Sequence, residues 1–143
     1  MNRVIFVALE EEFPRKMAPK GYNVVYTGIG KVNATMAITQ YLTANPHVEA
    51  VYNYGTAGAG DDSVAGELLG VSSIVERDMD ITPLGLPKFV THADQDIYFY
   101  TSNRQTSIVC GTGDSFARPK MPYHIVDMEA FALVKVSQHF GVP

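Results

Sequence analysis

Apolar positions come first as an unbroken run. Val4-Ile5-Phe6-Val7-Ala8-Leu9 contains no polar residue, as a strand covered on both faces requires. It gives way to Glu10-Glu11-Glu12-Phe13, after which Pro14 fits the first turn of a short helix. Residues 23–26 predict a second strand, leading into Thr27-Gly28-Ile29-Gly30-Lys31-Val32-Asn33, where two glycines let the backbone turn tightly and approach a ligand. Residues 31–45 have helical spacing, with Val32, Met36, Ile38 and Leu42 among the apolar positions, and Asn45-Pro46 ends them. A third strand over residues 49–54 runs into Gly55-Thr56-Ala57-Gly58-Ala59-Gly60. Strand, helix, strand in this order favours parallel pairing through a right-handed crossover.

The second half alternates less regularly. Residues 68–75 predict a strand and residues 77–87 a loop. Residues 97–100 and 106–110 predict two short strands joined as a hairpin through Ser102-Asn103-Arg104. Gly111-Thr112-Gly113-Asp114-Ser115-Phe116 is a third glycine-bearing turn, in which Asp114 reads as a turn cap rather than a catalytic group. Residues 126–140 predict the last helix, with Asp127 as a first-turn acid or cap and Gly141 and Pro143 as stop signals. Within it Glu129 shares a helical face with Ala132, Leu133 and Val136. A carboxylate there is costly unless hydrogen-bonded, and a pair of sugar hydroxyls would serve. The other reading is a partly exposed acid favoured by the helix dipole, and the residues alone leave both open.

Composition narrows the class. In 143 residues, 46% are hydrophobic and 18% charged, which describes one compact domain with a real core. A formal net charge of −4 with no Lys/Arg run argues against a nucleic-acid partner. Cys110 is the single cysteine, so no intrachain disulfide forms, and a reducing, cytoplasmic setting is expected. The first apolar stretch is too short for a signal peptide with its flanks, and no run reaches membrane-spanning length. Acids at a strand's carboxyl end are suggestive, because open α/β sheets bind ligands there. For Glu10 and Glu11 a solvated turn is the better reading. Asp78, Asp80, His92, Asp94 and Asp96 lack a recognised ligand spacing, so no metal is expected. The first glycine turn lacks the third glycine of a dinucleotide fingerprint and the chain has no Walker loop, and no cofactor is expected.

Taken in order, Ala8-Leu9-Glu10-Glu11-Glu12, Thr27-Gly28-Ile29-Gly30-Lys31-Val32-Asn33-Ala34, Gly55-Thr56-Ala57-Gly58, Gly113-Asp114-Ser115-Phe116 and Val126-Asp127-Met128-Glu129-Ala130 resemble the nucleoside phosphorylase/nucleosidase superfamily. Within it the similarity is closest to 5′-methylthioadenosine/S-adenosylhomocysteine nucleosidases. Each motif alone is weak, and five in the right order are strong. The resemblance implies a three-layer α/β/α fold with a mixed central sheet, a homodimer or higher homo-oligomer, and cleavage of the N-glycosidic bond of a purine nucleoside. It implies that Glu12 activates the attacking water. By the same resemblance Glu129 holds the ribose hydroxyls, Met128 packs on the sugar, and Asp127 stands beside them. Thr56, Ala57 and Gly58 would line the ribose and base, Phe116 would stack on the purine, and Ala117 would meet its edge. Leu84 falls in a loop that reaches a neighbour's pocket in related dimers.

These roles suit the chemistry. Glycosidic cleavage passes through an oxocarbenium-like state, so one carboxylate can deprotonate water while another orients the sugar. A phosphorylase must hold a phosphate dianion, usually with arginines. Asn53-Tyr54 precedes the second glycine turn with no arginine nearby, and three glutamates follow the first strand, so hydrolysis is the better expectation.

Departures from the family are also visible. Leu9 replaces a common methionine and Asp127 a common glutamate, and the helix usual before the Cys110 strand is missing. The family continues after the last helix with a strand carrying an arginine and the acid that protonates the purine. The chain is therefore expected to lack the family's last strand and helix. Three explanations stand: an incomplete record of a longer protein, a short form whose acid is Asp114, or a non-catalytic nucleoside-binding relative.

Overall fold

The apolar run becomes strand β1 (Arg3–Val7), in which Val4, Ile5, Phe6 and Val7 are all buried. The computed structural model describes residues 2–60, 62–91, 98–99 and 107–143. They form two compact units, Met1–Thr56 with Ala132–Pro143, and Ala57–Phe131.

In the first unit β1 is followed by strand β2 (Tyr22–Tyr26), helix α1 (Lys31–Ala44) and strand β3 (Ala50–Asn53). The sheet is parallel, with order β2-β1-β3. Parallel pairing is as expected, but β2 and β3 do not touch, because β1 lies between them. That placement explains the unbroken apolar run. Val4 and Phe6 pack with Ala34, Ile38 and Leu42 of α1 and with Ala132 and Leu133, whereas Ile5 and Val7 pack with Val24 and Phe13 on the opposite face. Pro14 stands just before a single 3-10 turn, Arg15–Met17, where a short helix was expected. Gly30 has φ 98° at the entry to α1, a conformation that side chains with a Cβ rarely adopt. The buried stripe of α1 is Ala34, Ile38 and Leu42, whereas the expected apolar positions Val32 and Met36 are exposed. Spacing of four selects that stripe, and an adjacent valine and methionine fall outside it.

The second unit carries β4 (Gly58–Ala59), β5 (Ser73–Glu76), β6 (Tyr98–Phe99), β7 (Val109–Thr112) and β8 (Ile125–Asp127). They form a mixed sheet of order β4-β8-β7-β5-β6, parallel from β8 through β5 and antiparallel at both edges. Three expectations need correction. The strand predicted over residues 68–75 begins only at Ser73, and Leu68 is exposed. Strands β6 and β7 are not a hairpin, because β5 sits between them; Ser102, Asn103 and Arg104 lie outside the described residues. Val126 and Asp127, expected in the last helix, belong to β8, and helix α2 spans Ala130–Phe140. Two β-branched residues, Ile125 and Val126, suit the buried strand better than a helix's first turn.

Candidate active site

Glu12 lies in the turn after β1 and Thr56 follows β3, so both stand at carboxyl ends of neighbouring parallel strands. The Glu12 Oε1 accepts hydrogen bonds from the Thr56 backbone N–H (3.0 Å) and the Thr56 hydroxyl (2.6 Å). Its Oε2 accepts from the Leu9 N–H at 3.1 Å. A Cβ built on Gly55 would lie 3.5 Å from the same Oε2, so the carboxylate rests against that turn's backbone. Three donors fix a half-buried carboxylate at the crevice end of the sheet. This geometry suits a group that takes a proton from a bound water.

In the second unit, Gly58 pairs with Val126 across β4 and β8. A Cβ at Gly58 would meet the Val126 Cγ2 at 2.9 Å and the Ala117 carbonyl oxygen at 4.0 Å, so Gly58, Ala117 and Val126 are brought together. Ala57 is exposed at the start of the same segment. Phe116 is fully exposed, with its whole ring face open to solvent. The turn before it is built by residues that the sequence had left unassigned. Arg77 Nε donates to the Gly111 carbonyl (3.1 Å), and its Nη atoms donate to the Gly113 carbonyl (3.1 Å), the Ser115 carbonyl and the Ser115 hydroxyl (3.3 Å). Asp78 Oδ2 accepts the Asp114 N–H at 2.9 Å. Asp78 thus supplies a carboxylate that secures this turn at the Asp114 N–H. An arginine and an aspartate ending a strand were the signal available for this.

Asp127 is the capping residue of α2. Its Oδ2 accepts the N–H groups of Glu129 (3.1 Å) and Ala130 (2.7 Å), an N-cap pattern. Its Oδ1 accepts from the Thr112 hydroxyl (2.5 Å) and the Cys110 thiol (3.3 Å). The Thr112 oxygen in turn accepts the Phe131 N–H at 3.0 Å. Burial, and then the Asp127 charge, push the Cys110 thiol well above its ordinary pKa. Met128 and Glu129 are half-buried in the turn between β8 and α2, so Glu129 precedes the helical face on which the sequence placed it.

Leu84 is exposed on the 3-10 turn Thr82–Leu84. Asp80 caps that turn, and hydrogen bonds from Thr82 lower its carboxyl pKa, with Lys88 adding an ion pair at 3.3 Å. Asp78 and Asp80 are thus engaged with the protein, and His92, Asp94 and Asp96 lie outside the described residues. Among the described residues no three His, Cys, Asp or Glu side chains are grouped to hold a metal ion. No helix among them is long and apolar enough to cross a membrane.

An α/β chain with carboxylate-bearing and glycine-bearing turns at its strand ends has the layout in which open α/β sheets bind ligands. Comparison with known proteins sharpens the class. Over 76 residues the chain is 46% identical to a futalosine hydrolase of Thermus thermophilus, covering 48% of this chain and 33% of that protein. It is 31% identical to a 5′-methylthioadenosine/S-adenosylhomocysteine nucleosidase of Shewanella oneidensis, covering 89% of this chain and 64% of that one. A solved structure of a futalosine hydrolase mutant from Helicobacter pylori matches all of this chain and 84% of its own, with TM-score 0.83 and 22% identity. The chain therefore spans a third of one of these curated relatives and just under two thirds of the other. No family model matches the sequence. The fold is the α/β fold of these nucleosidases, and the sequence resembles them within the nucleoside phosphorylase/nucleosidase superfamily.

Proposed function

We propose that this chain carries the machinery for hydrolysing the N-glycosidic bond of an adenine nucleoside of the 5′-methylthioadenosine or S-adenosylhomocysteine type. The observation that carries this is the Glu12 carboxylate, oriented by Leu9 and Thr56 at the carboxyl ends of β1 and β3. Glu12 accepts a proton from water. The bond between C1′ and the purine nitrogen breaks with its electron pair passing to the base, and the water oxygen bonds to C1′. Glu129 orients the ribose hydroxyls, Met128 packs on the sugar, Thr56, Ala57 and Gly58 line the sugar and base, and Phe116 and Ala117 take the purine. Asp127 acts at one remove, because its carboxylate is spent on the backbone that presents Glu129. Asp114, on the turn before Phe116, is the candidate acid for the departing purine.

Hydrolysis is favoured over phosphorolysis by the state of Arg77. Its guanidinium already donates four hydrogen bonds to its own chain, which leaves little to grip a phosphate dianion. A second substrate reading, futalosine, rests on the 46% identity to the Thermus enzyme. Exposed Leu84 supports the homodimer reading and the buried free thiol of Cys110 a cytoplasmic one, with the nucleosidase activity serving methionine salvage.

The test is base release from 5′-methylthioadenosine and from futalosine in phosphate-free buffer, repeated over a phosphate titration. Release from the first, independent of phosphate, is expected. Release only with phosphate present contradicts hydrolysis, and release from futalosine alone moves the assignment to the second substrate.

A further inference from the structure

The turn that carries Phe116 is tied to one guanidinium. Arg77 follows β5 directly, its N–H donates to the Thr112 carbonyl at 2.8 Å, and its side chain then grips the carbonyls of Gly111, Gly113 and Ser115 and the Ser115 hydroxyl. Asp78 secures the N–H of Asp114 between those points. Gly113 is part of the same device. A Cβ there would sit 2.8 Å from the Arg77 Cζ and 3.0 Å from the Asp78 Cγ, so only glycine lets the guanidinium lie against the turn. Phe116 is fully exposed, so no packing places it and the backbone of this turn sets the position from which its ring projects.

We infer that Arg77 is a positioning residue that holds the turn over residues 113–116 in the conformation presenting Phe116 to a purine. This rests on the nucleosidase reading. The planar fork of arginine reaches several carbonyls at once, whereas a lysine ammonium on its flexible stem does not. A misplaced stacking partner weakens binding even though no contact to the ligand has been deleted.

The experiment compares the full chain with Arg77→Lys, Arg77→Ala and Gly113→Ala, measuring amide hydrogen exchange over residues 113–116 without ligand, and adenine affinity. Arg77→Lys is expected to keep its far-UV spectrum, exchange about tenfold faster in the turn, and bind adenine about tenfold more weakly. Gly113→Ala is expected to behave alike, because its methyl displaces the guanidinium. If Arg77→Ala does not fold, Arg77→Lys decides. Unchanged exchange in a folded Arg77→Lys overturns the positioning role, whatever happens to adenine. Faster exchange with unchanged adenine affinity overturns the link to the purine. Failure of the native chain to bind adenine overturns the nucleosidase reading and that link together, and the exchange rates still show whether Arg77 holds the turn.

Discussion

Glu12 owes two of its three donors to Thr56 and the third to the Leu9 backbone. Replacing Thr56 by valine removes the hydroxyl and keeps the backbone N–H, so the carboxylate is loosened rather than released. We expect kcat to fall about tenfold, the worth of one hydrogen bond to a charged group; an unaltered kcat would show that the hydroxyl does not orient Glu12. Cys110 gives a second prediction at this scale. Its folded-state pKa is raised, so the folded protein holds the thiol proton more tightly than the unfolded chain does. The resulting stability is complete below the unfolded thiol's pKa of about 8.5 and declines above it, by at most about 1.4 kcal/mol per pH unit. Urea titrations between pH 8 and 10 should show this loss in the native chain and less of it in Cys110→Ala. Equal slopes in the two would contradict it. Native Cys110 should also resist iodoacetamide at pH 8.5 and react once urea unfolds the chain.

At the scale of elements, the junction between β8 and α2 depends on one carboxylate. Asp127 caps α2 through Glu129 and Ala130 and ties it to β7 through Thr112. Asp127→Ala removes a cap and leaves the Thr112 hydroxyl short of an acceptor, a loss of about 2 kcal/mol. Asp127→Asn, which keeps an acceptor oxygen, should lose less. Denaturant midpoints check both, and equal stability of Asp127→Ala and native chain would refute the cap. The acid at the helix front was legible because aspartate before an apolar periodic run is a start signal. Its exact position was not, because Val126 extends the apolar pattern of the helix while Ile125, Val126 and Asp127 pair in a strand. In α1 the helix was legible from its spacing, but its buried face was not. Val32 and Met36 are as apolar as Ile38, and only packing against Val4 and Phe6 selects Ala34, Ile38 and Leu42.

Across the molecule the two units differ in how much their sequences disclose. The parallel sheet of the first unit follows from a central strand apolar at every position and a helix of full length between its neighbours. In the second unit β4 and β6 have two residues each and β8 has three, too few for a period to register. Their order, β4-β8-β7-β5-β6, joins residues far apart in the chain, which local pattern does not encode. The candidate site divides in the same way. Glu12, Phe116 and Glu129 were proposed because a resemblance carried over residue types at fixed motifs. Arg77 and Asp78 were missed because their role consists of bonds to a turn 34 to 38 residues onward. The account stands or falls on Glu12 as the base that activates water. The direct measurement is 5′-methylthioadenosine turnover and binding by Glu12→Gln beside the native chain. We predict turnover lower by about a hundredfold or more, with 5′-methylthioadenosine still bound. Turnover near the native rate would contradict the account.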